Sequence, residues 1–140
     1  MKKILIDSNY LVALADPQDG NRPKALEFAA TITDQDQLMV PDVALTEVTF
    51  LINRYVSFRA VLTFLDTIAD SSMQIEPITK ADIKRGREIM AKYADTRLDF
   101  VDVCLMALAE RLNITRICTF DRRDFSIFRP NHCDYLELLP

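Results

Sequence analysis

Glycine is nearly missing from this chain, with two in 140 residues. Phosphate cradles of the P-loop and dinucleotide-binding types need glycine-rich turns, so both are excluded. Histidine is scarcer still. His132 stands alone near the carboxyl end with no nucleophile motif beside it, which leaves no basis for a Ser-His-Asp triad and reads as a surface loop residue. The three cysteines, Cys104, Cys118 and Cys133, form no CxxC pair and no even set. A disulfide framework and a zinc site are therefore both disfavoured. Cys104 and Cys118 lie in apolar runs and read as small core residues, Cys133 as a free thiol near the surface. No uncharged stretch approaches the roughly 20 apolar residues of a membrane span. Met1-Lys2-Lys3 faintly suggests the start of a secretion signal, but only three apolar residues follow before Asp7. A cytoplasmic protein with no membrane partner is the expectation. Basic excess is lacking too: the net charge of −4 argues against holding nucleic acid on a broad basic surface. A carboxylate-bound metal would reverse the local field, so a nucleic-acid substrate stays open.

What is present is a chain of 49% hydrophobic residues, enough for one domain over 1–140 with a real core. Short apolar runs read as strands at 3–7, 38–40 (ended by Pro41), 73–76, 115–120 and 135–138. Between them, helical periodicity follows good capping residues. Ser8 or Asn9 caps a helix opening with Tyr10, and a loop at 16–21 leads to a helix from Pro23, with Ala25, Leu26, Ala29 and Ile32 on one face. Asp42 caps the next helix, through Tyr55, and 58–69 pairs with it as a helical hairpin. Thr79 caps a helix through Tyr93, a polar link covers 95–98, and a helix spans 100–112. An irregular, arginine-rich loop is expected over 121–130. Strands alternating with helices imply an α/β fold with a parallel sheet covered on both faces.

Four acids interrupt this pattern. Asp7 closes Ile4-Leu5-Ile6 and Asp121 closes Ile117-Cys118-Thr119-Phe120, both at carboxyl ends of strands, where ligands of doubly wound sheets bind. If the first and fourth strands are neighbours, the two face one crevice. For Asp7, helix capping is an equal alternative. Glu47 has Val43, Phe50 and Leu51 as helical neighbours and so falls on or beside the core-facing stripe; pairing with Arg54 is the rival reading. Asp102 lies on the stripe of Leu105, Met106 and Ala109, with Asp99 three residues before it. Two like charges on one helical face repel, so a cation is their natural partner. Asp124 repeats the charge of Asp121, or pairs with Arg122 and Arg123. Oxygen donors alone point to a hard cation, Mg2+ or Mn2+.

These pieces resemble the PIN-domain nucleases, and among them the VapC-type toxins. Ile4-Leu5-Ile6-Asp7-Ser8-Asn9-Tyr10-Leu11 is similar to the family's opening strand and first acid, and Leu45-Thr46-Glu47-Val48 to its second. Leu98-Asp99-Phe100-Val101-Asp102-Val103, followed by Ala107-Leu108-Ala109-Glu110-Arg111-Leu112, is similar to its third motif. Cys118-Thr119-Phe120-Asp121-Arg122-Arg123-Asp124-Phe125 is similar to its fourth. Val103 departs from the alanine usual in relatives, a change of packing that leaves the acids intact. The resemblance implies a flavodoxin-like three-layer α/β/α sandwich with a short, mostly parallel sheet. It also implies Asp7, Glu47, Asp102 and Asp121 as metal-binding acids, a homodimer and a small antitoxin.

The expected activity is a metal-dependent endoribonuclease acting on RNA. Asp7 and Asp102 are the expected principal ligands, Asp121 a further one, and Glu47 a ligand or water-orienting base. Asp99 and Asp124 rank as secondary acids. Asn9 and Thr119 are candidates for supporting hydrogen bonds, and Arg97, Arg122 and Arg123 for phosphate contacts. A phosphatase of the haloacid-dehalogenase type would need a second aspartate where Asn9 stands. A receiver domain would need a late lysine, and none follows Lys92. The remaining alternative is a PIN-fold module that binds RNA or protein without turnover.

Overall fold

The structure, a computed structural model, describes residues 2–140; Met1, part of the signal-like start, lies outside the described residues. Five strands, β1 (Lys2–Ile6), β2 (Asp36–Pro41), β3 (Gln74–Glu76), β4 (Arg116–Cys118) and β5 (Glu137–Leu139), form one sheet. Its order is β3-β2-β1-β4-β5 and every pairing is parallel. The chain winds from β1 out to β3, then returns to place β4 on the other side of β1. That reversal is the switch point of a doubly wound sheet. The carboxyl half of central β1 is enclosed: Leu5 and Ile6 are fully buried, opposite Ile117 and Cys118.

Among the described residues seven helices flank the sheet to make the three-layer sandwich: α1 (Ser8–Ala15), α2 (Arg22–Ala29), α3 (Asp42–Tyr55), α4 (Phe58–Asp70), α5 (Lys80–Lys92), α6 (Phe100–Arg111) and α7 (Arg122–Ile127). α6 is buried all round, from residue 103 to 109, as a helix covered on every side must be. α5 rests on it through Gly86, where a Cβ would meet Val103 Cγ2 at 3.0 Å. Two ion pairs pin the contact: Arg111 to buried Asp82 (2.9 Å) and Arg85 to Glu110 (2.6 Å). Thr79 and Asp82 also close a reciprocal capping box at the start of α5, as its capping role anticipates.

Several boundaries differ from expectation for local reasons. The cap of α1 is Asp7, not Ser8 or Asn9, both of which are helical. Pro41 continues β2 and is itself the cap of α3, so Asp42 becomes the first helical residue. In α2 only Ala25 is buried, while Leu26 is 45% exposed, so the expected apolar face does not form. The strand expected over 115–120 contracts to β4, because Thr119 turns its hydroxyl toward Asp7. The link at 95–98 contains a 3-10 turn, Ala94–Thr96. The loop expected over 121–130 is largely α7, capped by Asp121 and anchored by buried Phe125 and Phe128. His132 is half-buried, its Nε2 2.7 Å from the Ile114 carbonyl oxygen. The cysteines stand as expected, with Cys104 and Cys118 buried, Cys133 half-exposed and all free.

Candidate metal centre

Asp7 follows β1 directly and holds α1 by its first amide: Oδ1 accepts from Ser8 N at 2.7 Å. Its other oxygen accepts from the Thr119 hydroxyl, also at 2.7 Å. Capping and convergence on the crevice, which were alternatives from sequence, are thus both true of this side chain. Thr119 is fully buried and its oxygen accepts from Asn9 Nδ2 (3.2 Å) and Asp121 N (3.0 Å). Asn9 Oδ1 in turn accepts from Phe120 N at 3.1 Å. This chain of bonds ties the ends of β1 and β4 together and fixes where Asp7 and Asp121 stand.

The remaining acids arrive on helices. Glu47 is half-buried on α3 and projects toward Asp7 and Asp99. Arg54 does not neutralise it; that guanidinium lies over the Tyr55 ring at 5.5 Å. Asp99 caps α6 by accepting from Asp102 N at 2.8 Å, and Asp121 caps α7 by accepting from Asp124 N at 3.3 Å. Each pair of acids three residues apart is therefore a capping unit, with its second carboxylate in the first helical turn. Oxygens of Asp102, Asp121 and Asp124 come within 4.8 Å of one another. The geometric triad thus includes Asp124, which the sequence ranks as secondary, while Asp7 stands beside it, each of its oxygens accepting one hydrogen bond and keeping a lone pair free.

Electrostatics confirms the crowding. Burial pushes the Asp102 carboxyl up to about 8, helped by the charges of Asp99, Asp7 and Asp121. Asp7 is pushed up to about 6, chiefly by burial, against its two hydrogen bonds and with Glu47 and Asp99 adding to the rise. Glu47 is raised by burial and then by Asp99, while the Ser8 hydroxyl favours its charged form. That buried hydroxyl has no well-formed hydrogen bond, and its place beside Glu47 is not legible in the sequence. Asp124 is raised by burial and Asp121, with Arg123 opposing. Among the described residues, none of these acids takes part in an ion pair. Of the three candidate arginines, Arg122 donates to the Pro140 carbonyl oxygen. Arg97 and Arg123 are exposed, Arg97 with a left-handed backbone (φ 57°) just before α6.

A family model described as the PIN domain matches residues 4–129. Ribonuclease VapC26 of Mycobacterium tuberculosis is 28% identical over 127 residues, covering 91% of this chain and 93% of that protein. The crystal structure of VapC20 from the same organism, a toxin that cleaves the sarcin-ricin loop, superposes with a TM-score of 0.83 at 19% identity, covering 98% and 99% of the two chains. A toxin-antitoxin complex from Klebsiella pneumoniae contains a chain similar at TM-score 0.63 and 20% identity, with coverage of 88% and 90%.

Proposed function

Since this chain belongs to the PIN domain family, we propose that it is a single-domain, divalent-metal-dependent endoribonuclease and the toxin of a toxin–antitoxin pair. One observation carries the reading. Carboxylates that follow β1 and β4 in the chain and that lie on α3 and α6 gather at the sheet's switch point, and among the described residues none of them forms an ion pair. The donor set fits a hard cation, being oxygen only, with three oxygens mutually within 4.8 Å. Asp7, Asp102 and Asp121 would hold Mg2+ or Mn2+ together with Asp124, Asp7 being kept in place by Thr119 and Glu47 standing as a further ligand or water-orienting base. When bound, the ion supplies Lewis-acid activation of water and stabilisation of the leaving oxygen.

The chain's own residues have separable tasks. Glu47 is half-buried and holds its proton more tightly than an ordinary glutamate, which suits it to take a proton from the attacking water. Asp99 orients Asp102 through the cap. Thr119 and Asn9 keep Asp7 in one rotamer. Arg97 and Arg123 are placed for substrate phosphates, whereas Arg122 is held by the chain terminus. A homodimer and a small antitoxin complete the proposal. No helix among the described residues is long and apolar enough to cross a membrane, consistent with a cytoplasmic site of action.

RNA cleavage by the purified chain in Mg2+, in EDTA and as Asp102→Asn is the test. Cleavage in Mg2+ alone, lost in the folded variant, is the expected result. Undiminished cleavage in EDTA overturns the metal, and no cleavage in either Mg2+ or Mn2+ leaves the non-catalytic binding module.

A further inference from the structure

The hairpin of α3 and α4 carries a hollow that the acids do not use. It measures about 360 Å3 and is lined by Thr46, Thr49, Phe50, Asn53, Phe58 and Val61. Two of its walls are rings left in solvent, Phe50 at 63% and Phe58 at 67% exposure. Thr46 directly precedes Glu47, and Phe50 lies three residues beyond it, about one helical turn along the same side of α3. The hollow therefore shares helix α3 with Glu47, its lining running from the residue before that acid to two turns beyond it.

Resting on the RNA-cleaving reading, we infer that this hollow is a nucleobase subsite, taking one unpaired base of the substrate beside the scissile phosphate. Exposed aromatic rings grip single-stranded RNA by stacking, which every base permits. Thr46 and Asn53 bring a hydroxyl and an amide to the same hollow, matching the donors and acceptors of a base edge. The Thr49 hydroxyl is turned back onto Leu45 and Thr46 carbonyl oxygens at 2.9 and 3.1 Å, so it adds bulk rather than recognition. No charged side chain lines the hollow. In a chain of net charge −4, a neutral grip on a base supplies affinity that a general basic surface does not. A purely apolar partner would bury the Asn53 amide unpaired, at a cost. The groove between α1 and α4, about 470 Å3 and walled by Leu11, Leu14, Phe64 and Ile68, suits such a partner better.

The chain contains no tryptophan, so Phe50→Trp introduces a single fluorescent reporter. In an Asp102→Asn background, it is titrated with a short single-stranded RNA in Mg2+, and with the same RNA made abasic at each position in turn. Quenching by the intact RNA that is lost at one abasic position is the expected result. In the active protein, Phe50→Leu should raise KM for single-stranded RNA roughly tenfold with kcat nearly unchanged, and Phe50→Trp should restore KM. Quenching indifferent to every abasic position, or an unaltered KM in Phe50→Leu, overturns the subsite while leaving RNA cleavage standing. Emission that follows protein concentration alone, with association lost in Phe50→Leu by light scattering, assigns the hollow to a contact between copies and also overturns it. Failure of the unaltered protein to cleave RNA removes the nuclease reading and the subsite together.

Discussion

Burial acts most strongly on Asp102, and the charges of Asp99, Asp7 and Asp121 add to it. Replacing that carboxyl by an amide removes the repulsion and leaves a donor for Asp99. Asp102→Asn should therefore stabilise the metal-free protein at neutral pH by roughly 1–2 kcal/mol while abolishing cleavage; urea unfolding in EDTA measures the first and an RNA assay the second. The sign with pH follows from the same shifts. Asp7 and Asp102 hold protons in the fold up to about 6 and about 8, well above the ordinary aspartate value of 3.8. Their contribution is fully present below that ordinary value and lost as pH rises, the Asp7 share by about pH 6 and the Asp102 share by about pH 8. Asp82 and Glu110, lowered by Arg111 and Arg85 against their own burial, contribute in the opposite sense. The clean readout is the difference between parent and Asp102→Asn in EDTA. The variant's advantage should grow between pH 6 and 8, and a constant difference would refute the assignment.

At the scale of elements, the contact between α5 and α6 decides where Asp102 rests. The Val103 Cγ2 occupies the space that a side chain at Gly86 would need. The two residues form a complementary pair, one losing the volume the other gains. Gly86→Ala should gain up to about 1 kcal/mol of helix propensity but give it back by crowding Val103. In a Val103→Ala background the crowding disappears and the same substitution should stabilise. A double-mutant cycle by urea unfolding should show coupling of about 1–2 kcal/mol, and strict additivity would show that the helices do not meet here. The neighbouring pair of Arg111 and Asp82 has a buried carboxylate that also closes the cap of α5. Asp82→Ala should cost about 3 kcal/mol and leave kcat of the folded fraction intact, since it touches none of the crivice acids.

For the whole molecule, charge and apolar surface point to partners. The α3–α4 hairpin exposes Phe50, Tyr55, Phe58, Leu62 and Leu65, whereas Val61 and Phe64 are buried. The structure divides them, with Phe64 walling the α1–α4 groove and Phe50, Phe58 and Val61 the hollow beside Glu47. An antitoxin helix laid in the larger groove would cover its apolar walls, Leu11, Leu14, Phe64 and Ile68. Thr67→Glu, placing a charge in that groove, should abolish capture of the co-expressed antitoxin without reducing RNA cleavage by the free chain; pull-down and cleavage assays read the two separately. Light scattering should give twice the 16.1 kDa chain mass, and a strictly monomeric species would remove the homodimer from the proposal.

Local pattern alone determined the alternation of strands and helices, the oxygen-only donor set and the strand-end position of Asp7, because each is written in neighbouring residues; Asp121 instead follows β4 by three residues and caps α7. The same local rules missed α7: the cap formed by Asp121 and Asp124 lies inside an arginine-rich run that reads as solvated loop. They also misplaced the apolar face of α2, where buried Ala25 and half-buried Phe28 reach the core and the Ala25 carbonyl oxygen accepts from the Tyr10 hydroxyl. Strand order was decided only in three dimensions. β1 and β4 are over a hundred residues apart in the chain yet adjacent in the sheet, a pairing set by packing of whole layers rather than by periodicity. The same distance separates Asp7 from Thr119, whose hydroxyl holds it in place. Carboxylate repulsion depends on separation in space, so the chain supplied the acids and the fold, by closing β1 against β4, made them one site.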